Sequence, residues 1–460
     1  MIAFSSLFAL FFGIFALKNV RVGALLAIVL VIIWGLTTSS DFLVQHQTQL
    51  WNGVILSAEL GLLLFGALLF YQALQKNDHF TFIKTLTTKN ASPLWVLMVL
   101  AFFLAGFFEG VAGFGIPAML VTPMLLKVGL KAKTAIIAAL VGGSVAVHFG
   151  ALGTPIKIGL DILEPGNFVN VLLSVNILAV ISTPFLLAAL YSALEKKRVA
   201  WKKEWRMLLG AGVCFLIPYV LGAFWSIEIP SVLAGGVGLV LFCGFFGTKS
   251  EQINRGFWWR SFSPYVLFVA LLMLGKFLLA DMSLVLGDGI RNVSFFQPGF
   301  IFIITTACYV WYCGKNVQKN YNKIAGETLA KIKKPLITIL LLVVLAHLIR
   351  VDLVSSFNYI YGVLPHSITD ASVPLAGIFG AFLVGSATVS NLLFGALGNT
   401  TIETALIASG STIGNIISLQ NIVMVKSVVN AKESVGGLFL YGLKIVVIYL
   451  LLLWISLAVL

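Results

Sequence analysis

The stretch GFFEGVAGFGIP, Gly106 to Pro117, decides how this chain folds. Apolar runs flank it, PLWVLMVLAFFLA before and AMLVTPMLL after, yet it holds four glycines, a proline and one carboxylate, Glu109. Glycine permits tight turns and close backbone approach. Proline suits the first turn of a new helix. The chain is therefore expected to turn back here, inside oily surroundings, and to carry an acid with it.

The surroundings extend over the whole chain. Hydrophobic residues make up 60% and charged residues 10%, against roughly 25% charged in soluble proteins. Apolar runs of ~20 residues recur throughout, which predicts an all-α polytopic membrane protein. Barrel strands would be short and alternating, so a β-barrel is excluded. Polar connections of at most ~20 residues leave no room for a soluble domain. The net charge of +13 lies in short loops, as in cytoplasmic connections, and does not point to nucleic acid. Cys214, Cys243, Cys308 and Cys313 fall in or beside apolar runs and read as packing residues, not as a disulfide framework or metal site. The first residues, MIAFSSLFALFFGIFAL, lack a basic region and a cleavage site, so a retained span is expected there. No phosphate loop is present, and no nucleophile–base or acid pair stands out. No cofactor, metal or catalytic residue is expected.

Spans are predicted near 2–17, 22–38, 51–74, 134–156, 168–193, 207–224, 231–247, 263–280, 295–313, 335–350, 404–424 and 436–459. Segments 93–127 and 372–397 stay outside this count. With the N-terminus outside, the inside segments hold 25 of the 30 lysines and arginines. The outside loops hold Asp41, Asp161, Glu164, Glu228, Asp281, Asp288, Asp352, Asp370 and Glu403. This asymmetry holds only if 93–127 and 372–397 each enter and leave on one side. Both are thus expected to be re-entrant hairpins, the first opening inside and the second outside. Residues 1–193 form one predicted repeat, with hairpin 93–127 and a broken helix at 134–160. Residues 261–460 form the other, inverted, with hairpin 372–397 and a broken helix at 404–424. Residues 194–260 link them. Inverted repeats of this kind mark secondary transporters. The stretch GGSVAVHFGALGTPI, Gly142 to Ile156, has an echo in SGSTIGNIISLQNIV, Ser409 to Val423. Aligning Ser144 with Ser411 sets His148 against Asn415 and Thr154 against Asn421.

Non-helical backbone at membrane depth is tolerated only inside protein or beside a water-filled cavity. Helix N-termini there can hold an anion through free N–H groups, and unwound carbonyls can hold a cation. The candidate substrate-binding residues are Gly110, Gly113, Phe114 and Gly115 at the first tip and His148, Gly150 and Thr154 at the first break. Ser386, Thr388, Ser390 and Asn391 belong to the second tip, and Asn415, Ser418 and Gln420 to the second break. Glu109, Glu59 and His148 are the candidates for proton coupling, because an ionised side chain at the bilayer centre costs about 3 kcal/mol or more. Structural alternatives stand beside these. The glycines of the first tip, and those of AGGVG at 234–238, could be packing surfaces. Glu109 could cap its own hairpin, Glu59 could belong to a buried pair, and His148 could be a satisfied core histidine. Lys157 and Arg350 could simply snorkel, although Lys157 could also guide an anion. Lys444 could pair or snorkel.

FFEGVAGFGIP (Phe107–Pro117), FGALGTPI (Phe149–Ile156), GSATVSNLLFGAL (Gly385–Leu397), ISLQNI (Ile417–Ile422) and KESVGGLF after it resemble the bacterial lactate permease family. The resemblance implies a cytoplasmic-membrane symporter that takes up lactate and glycolate with a proton. It also implies the ion-transporter superfamily fold, an elevator with a scaffold and a mobile transport domain. Departures accompany it. The family pattern expects an aspartate at Ala387, a serine at Val389, a lysine at Asn415, a proline at Leu419 and a glutamine at Gly398. Loss of an acid and a base together leaves open a different substrate, and His148 is expected to restore some polarity.

The leading expectation is import of a small 2-hydroxy monocarboxylate by proton symport, by a multi-pass protein of the inner membrane with both termini outside. Its partners are a small organic anion, a proton and the lipid bilayer. A homodimer is left open. The alternatives are a cation/proton antiporter or a carrier of another organic anion. An antiporter would prefer paired carboxylates. An intramembrane enzyme would need a catalytic pair. A channel would share the hairpins but not uphill accumulation.

Overall fold

The structure, a computed structural model, describes residues 2–38, 41–76, 92–113, 115–157, 159–160, 162, 166–247, 255–279, 282–286, 291–313, 315–363 and 365–459. Eight of the described helices are long and apolar enough to cross a membrane, or up to nine if a bent pair counts as one span. The protein is an all-α polytopic membrane protein with one small addition. Strands β1 (Ser283–Leu286) and β2 (Arg291–Ser294) form an antiparallel pair in register Ser283↔Ser294. The apolar periodicity gave no sign of it, because four-residue strands fall below what a span count resolves.

Two compact units emerge. The first comprises residues 1–80, 254–356 and 434–436. It holds α1 (Ile2–Phe15), α2 (Val20–Thr38), the short α3 (Phe42–Gln45) and α4 (Gln47–Lys76). It also holds α11 (Arg255–Leu279), α12 (Pro298–Cys313) and most of α13 (Lys315–Val363). Helix α4 packs on α12 around Phe70, Phe268 and Phe302, whose rings lie 4.1–6.2 Å apart. Gln72 donates from Nε2 to Thr328 Oγ1 at 2.8 Å, and Lys76 pairs with Glu327 at 3.1 Å. Glu59 lies in this unit and accepts from Gln297 Nε2 at 3.0 Å. Helix α13 runs for 49 residues, where a loop over 314–334 and a short span were expected. Its polar start, NKIAGETLAKIKK, is rich in strong helix formers, so the connection is itself helical.

The second unit comprises residues 81–253, 357–433 and 437–460. Its helices are α5 (Pro93–Val111), α6 (Ile116–Lys127), α7 (Ala132–Ser144), α8 (Gly166–Glu195), α9 (Trp201–Trp225) and α10 (Pro230–Phe246). After them come α14 (His366–Val384), α15 (Ala387–Phe394), α16 (Thr401–Gly414), α17 (Leu419–Val428) and α18 (Val435–Val459). Helix α5 widens into a π-helical stretch at Met98–Leu104 and is 94% buried, so protein rather than lipid surrounds it. At 19 residues it is as long as a span, longer than half of a shallow hairpin needs. Helix α6 turns back and packs on it. The glycines of AGGVG pack as expected of small residues: Gly235 meets the Phe107 backbone and Gly238 the Cys214 carbonyl.

Helices α7 and α16 lead into the two breaks. Helix α7 packs on α5 and α6, and α16 on α14 and α15. The packing then crosses over. Helix α15 lies on the segment Gly150–Lys157 that follows α7, while α6 lies on α17, which follows α16. Both central helices start from a carboxylate cap. Glu195 accepts from Lys131 N at 2.9 Å and Thr134 Oγ1 at 2.5 Å. Glu403 and Thr400 form a reciprocal capping box. A carboxylate there satisfies free N–H donors and complements the helix dipole.

Glu195→Ala is expected to cost about 1–2 kcal/mol and to lower the thermal unfolding midpoint in detergent. Glu195→Gln, which keeps an accepting oxygen, is expected to lose much less. Equal midpoints for Glu195→Ala and the parent chain would rule out this cap as a stabilising contact.

Candidate functional site

The first break is sharp. Helix α7 ends at Ser144, a 3-10 turn covers Val147–Phe149, and Gly150 is extended. Ala151, Leu152 and Gly153 then take φ of 45°, 56° and 78° in succession. Left-handed backbone costs about 1–3 kcal/mol for a residue with a side chain and persists only where its surroundings enforce it. The chain leaves at 64° to its entry. Carbonyls freed by the break find hydroxyls. Ser144 Oγ donates to Val141 O at 2.7 Å, Tyr219 OH of α9 to Val145 O at 3.0 Å, and Ser231 Oγ of α10 to Ala146 O at 2.6 Å. The second break is milder. A 3-10 turn at Asn415–Ile417 gives way at Ser418, whose Oγ caps α17 by accepting from Asn421 N at 3.3 Å. Thr401–Val428 stays long and apolar enough to count as one span. The two 3-10 turns begin at Val147 and Asn415, one position off the Ser144/Ser411 alignment.

Part of each tip reaches the same place. At the first, Gly113 and Gly115 take φ of +62° and +76°, and Pro117 sits in the first turn of α6. At the second, Gly385 takes φ of +65°, and Ser386 Oγ caps α15 by accepting from Val389 N at 3.4 Å. A small cavity lies between tip and break, with about 230 Å³ of empty space including its open mouth. Its interior has room for about one water. Glu109, Gly113, Gly150, Thr154, Ser386, Thr388 and Asn415 line it, all expected from sequence. Val147, Ala151, Pro155 and Ala387 line it too and were not foreseen.

Glu109 is 6% exposed and is the one ionisable residue among the described residues of the wall. Among the described residues its carboxylate has no hydrogen-bonding or ionic partner. Glycines collar it: a Cβ on Gly150 would stand 3.1 Å from Oε1, and one on Gly113 3.7 Å. Across the cavity, Thr154 Oγ1 and Thr388 Oγ1 are 3.2 Å apart. The backbone N–H groups of Ala387 and Thr388, in the first turn of α15, have no partner within their helix. Asn421 Nδ2 donates to Asn415 Oδ1 at 3.3 Å and so orients Asn415. Asn421 Oδ1 is buried without a partner. The echo between the two breaks was the signal that could have marked it. The wall therefore offers neutral donors on one side and one carboxylate on the other.

The remaining expected residues lie off the wall. Gly110 packs against the Ser231–Val232 backbone and Gly115 faces Asn421. His148 is buried, with Nε2 3.4 Å from Thr412 Oγ1. Ser390 donates to Gly377 O at 2.9 Å, Asn391 to Pro155 O at 2.9 Å, and Gln420 to Leu383 O at 3.0 Å. Ser418 caps α17. Glu59 belongs to the other unit. Phe114 lies outside the described residues. Lys157 is ion-paired with Glu228 at 3.2 Å. No cluster of three or more His, Cys, Asp or Glu that could hold a metal occurs among the described residues.

The family described as L-lactate permease matches residues 2–274 and 290–460. An L-lactate permease of Bacillus subtilis (strain 168) is 23% identical over 470 aligned positions, covering 84% of this chain and 82% of that protein. A glycolate permease of Escherichia coli (strain K12) is 24% identical over 465 positions, covering 83% and 81%. An L-lactate permease of Streptococcus iniae is 24% identical over 339 positions, covering 66% and 69%.

Tyr219→Phe and Ser231→Ala each strip a donor from a buried carbonyl, and each is expected to cost about 1–3 kcal/mol. The loss reads out as a lower unfolding midpoint in detergent. Ser231→Thr, which keeps the hydroxyl, is the control. If both removals leave the midpoint unchanged, the break does not depend on these hydroxyls.

Proposed function

We propose a function from one premise: the chain belongs to the L-lactate permease family, which is a family of transporters and not of enzymes. Transport of lactate-like substrates follows from that membership. The finer proposal is that the chain imports a small 2-hydroxy monocarboxylate, such as lactate or glycolate, together with a proton. The inner membrane, with both termini outside, is the setting.

One observation carries the proton: Glu109 is buried at the cavity with no cation beside it. Two negative charges in one low-dielectric cavity repel strongly. A substrate carboxylate and an ionised Glu109 therefore exclude each other, and the anion binds well only when Glu109 holds a proton. Linkage makes this reciprocal, so bound anion raises the affinity for the proton by the same factor. The carboxylate would be received by the N–H groups of Ala387 and Thr388 at the start of α15, where the helix dipole favours an anion. Thr154 and Thr388 would add hydroxyl donors. Asn415, held by Asn421, would meet the substrate's 2-hydroxyl. Ala387 and Asn415, where the family resemblance expects an acid and a base, both face the cavity and are neutral here. One titrating group per site then gives one proton per anion, with no net charge moved.

The hairpin and repeat assignments belong to the same proposal. Segments 93–127 and 372–397 act as re-entrant hairpins of two inverted repeats, 1–193 and 261–460. Helix α5 being sheathed in protein supports this, as does the crossed packing of tips on breaks. In an elevator, the unit holding both tips and both breaks would be the transport body, and the unit holding α4, α12 and α13 the scaffold. An antiporter is disfavoured, since the described wall holds a single acid and not a pair.

The test uses the purified chain in liposomes with an inward proton gradient. Labelled lactate or glycolate should accumulate uphill, and proton flux without organic acid should be absent. Glu109→Gln is expected to abolish pH-driven accumulation while keeping counterflow exchange of labelled for unlabelled substrate. Full gradient-driven accumulation by Glu109→Gln would remove Glu109 from coupling. Failure of every short carboxylate to accumulate would remove the substrate class.

Thr388→Val is expected to weaken half-saturation by roughly tenfold, about 1.4 kcal/mol for a hydrogen bond to a charged group. An unchanged value would place the carboxylate elsewhere.

A further inference from the structure

We propose that the start of α18, around Tyr441, is a binding site for the headgroup of an anionic phospholipid. Two ammonium groups converge on one aromatic ring there. Lys133 Nζ, from the first turn of α7, stands 4.7 Å from the Tyr441 ring centroid, and Lys444 Nζ stands 5.5 Å from it. Cations bind aromatic faces weakly at exposed sites, and two like charges at one ring repel. Among the described residues neither lysine has an ion-pair partner. The nearby acids are engaged or set elsewhere. Glu195 points inward to Lys131 N and Thr134, and Glu433, whose Oε2 is buried without a hydrogen-bond partner, faces the charge of Lys426. The ring therefore gathers positive charge that the described protein leaves uncompensated.

The surroundings specify lipid. Lys444 lies on a face of α18 that also exposes Leu440, Leu443, Val447, Ile448 and Leu451. That stripe is apolar enough to meet acyl chains. Nine residues from the helix start at Val435, Lys444 is roughly 13 Å along the axis. Its stem must run back along the helix to keep the ammonium polar, which brings it to Tyr441, three residues earlier. Tyrosine itself favours the level where headgroups meet chains. Loop charge assigns this end of α7 and α18 to the inside, where anionic lipid supplies a negative surface. A phosphodiester there would bridge the two ammonium groups while its chains lie along the stripe. The occupant is thus a lipid, and not a free anion that would have nothing to place on the leucines and valine.

Titration in detergent tests this with fluorescent phosphatidylglycerol and unlabelled competitors. Phosphatidylglycerol should compete and phosphatidylcholine should not. Inorganic phosphate and glycerol phosphate should not compete, because they lack chains. Lys133→Ala and Lys444→Ala should each weaken binding roughly fivefold, and the double variant ~25-fold, at about 1 kcal/mol per basic residue near a membrane surface. The double arginine variant keeps the charge and should bind as the parent does. Equal binding by the double alanine variant overturns the site, as does equal competition by phosphatidylcholine. Competition by inorganic phosphate alone makes it a simple anion site, and a dimer through α18 that excludes lipid, read by native mass spectrometry, makes it a protein interface. Either result overturns the lipid assignment.

Discussion

Backbone groups freed by a broken helix must find partners where water is scarce, and the second unit is organised around that constraint. A carbonyl left bare in an apolar interior costs several kcal/mol. Each interruption is therefore matched to a hydroxyl or amide from another element. Tyr219 and Ser231 serve Val145 and Ala146 at the first break. Asn391 serves Pro155 just beyond it. Gln420 of the second break serves Leu383 at the end of α14. Helices α9 and α10 thus take part in the first break. Their polar tips hold the first break in shape.

The same constraint explains why Glu109 stands alone. Its neighbours across the collar are Gly113, Gly143 and Gly150, which bring backbone close and offer no side chain. No cation among the described residues compensates its charge, and no hydrogen bond among them engages its carboxylate. Strain concentrates beside it, in Ala151, Leu152 and Gly153. The site combines a group whose charge depends on its surroundings with a backbone segment that its surroundings force.

Much of this was legible in the sequence, and what was not has a physical cause. The all-α membrane class followed from apolar runs, although eight or nine described helices reach span length where twelve spans were expected, and the turn at Gly113–Gly115 followed from its glycines, two of which take left-handed backbone. Glu109, Thr154, Ser386, Thr388 and Asn415 were singled out because a polar residue in an apolar run stands out, and they line one cavity. Residue type alone does not say what each does. Ser390, with its hydroxyl, and Asn391 and Gln420, with their amides, are donors like Thr154 and Thr388 but direct those groups to backbone carbonyls. Val147, Ala151 and Pro155 line the cavity through position only, so no chemical signal marked them. Tyr219 and Ser231 sit in helices that look like plain spans, and only the three-dimensional path of the break shows their purpose. The helical start of α13 was hidden because charged helix formers look like a loop when spans are counted by hydropathy.

The crossed packing adds one further step. Helix α15 closes on the break that follows α7, and α6 closes on α17, which follows the other break. Each tip is therefore completed by the half of the sequence it does not belong to. The cavity wall draws Glu109, Gly150 and Thr154 from one half and Ser386, Thr388 and Asn415 from the other. Neither half could form the wall by itself. A shift of the second tip must change the Thr154–Thr388 contact and the space before Glu109 together, because Thr388 and the wall residues Ser386 and Ala387 move with it. That shared dependence ties the donor side of the cavity to its acidic side.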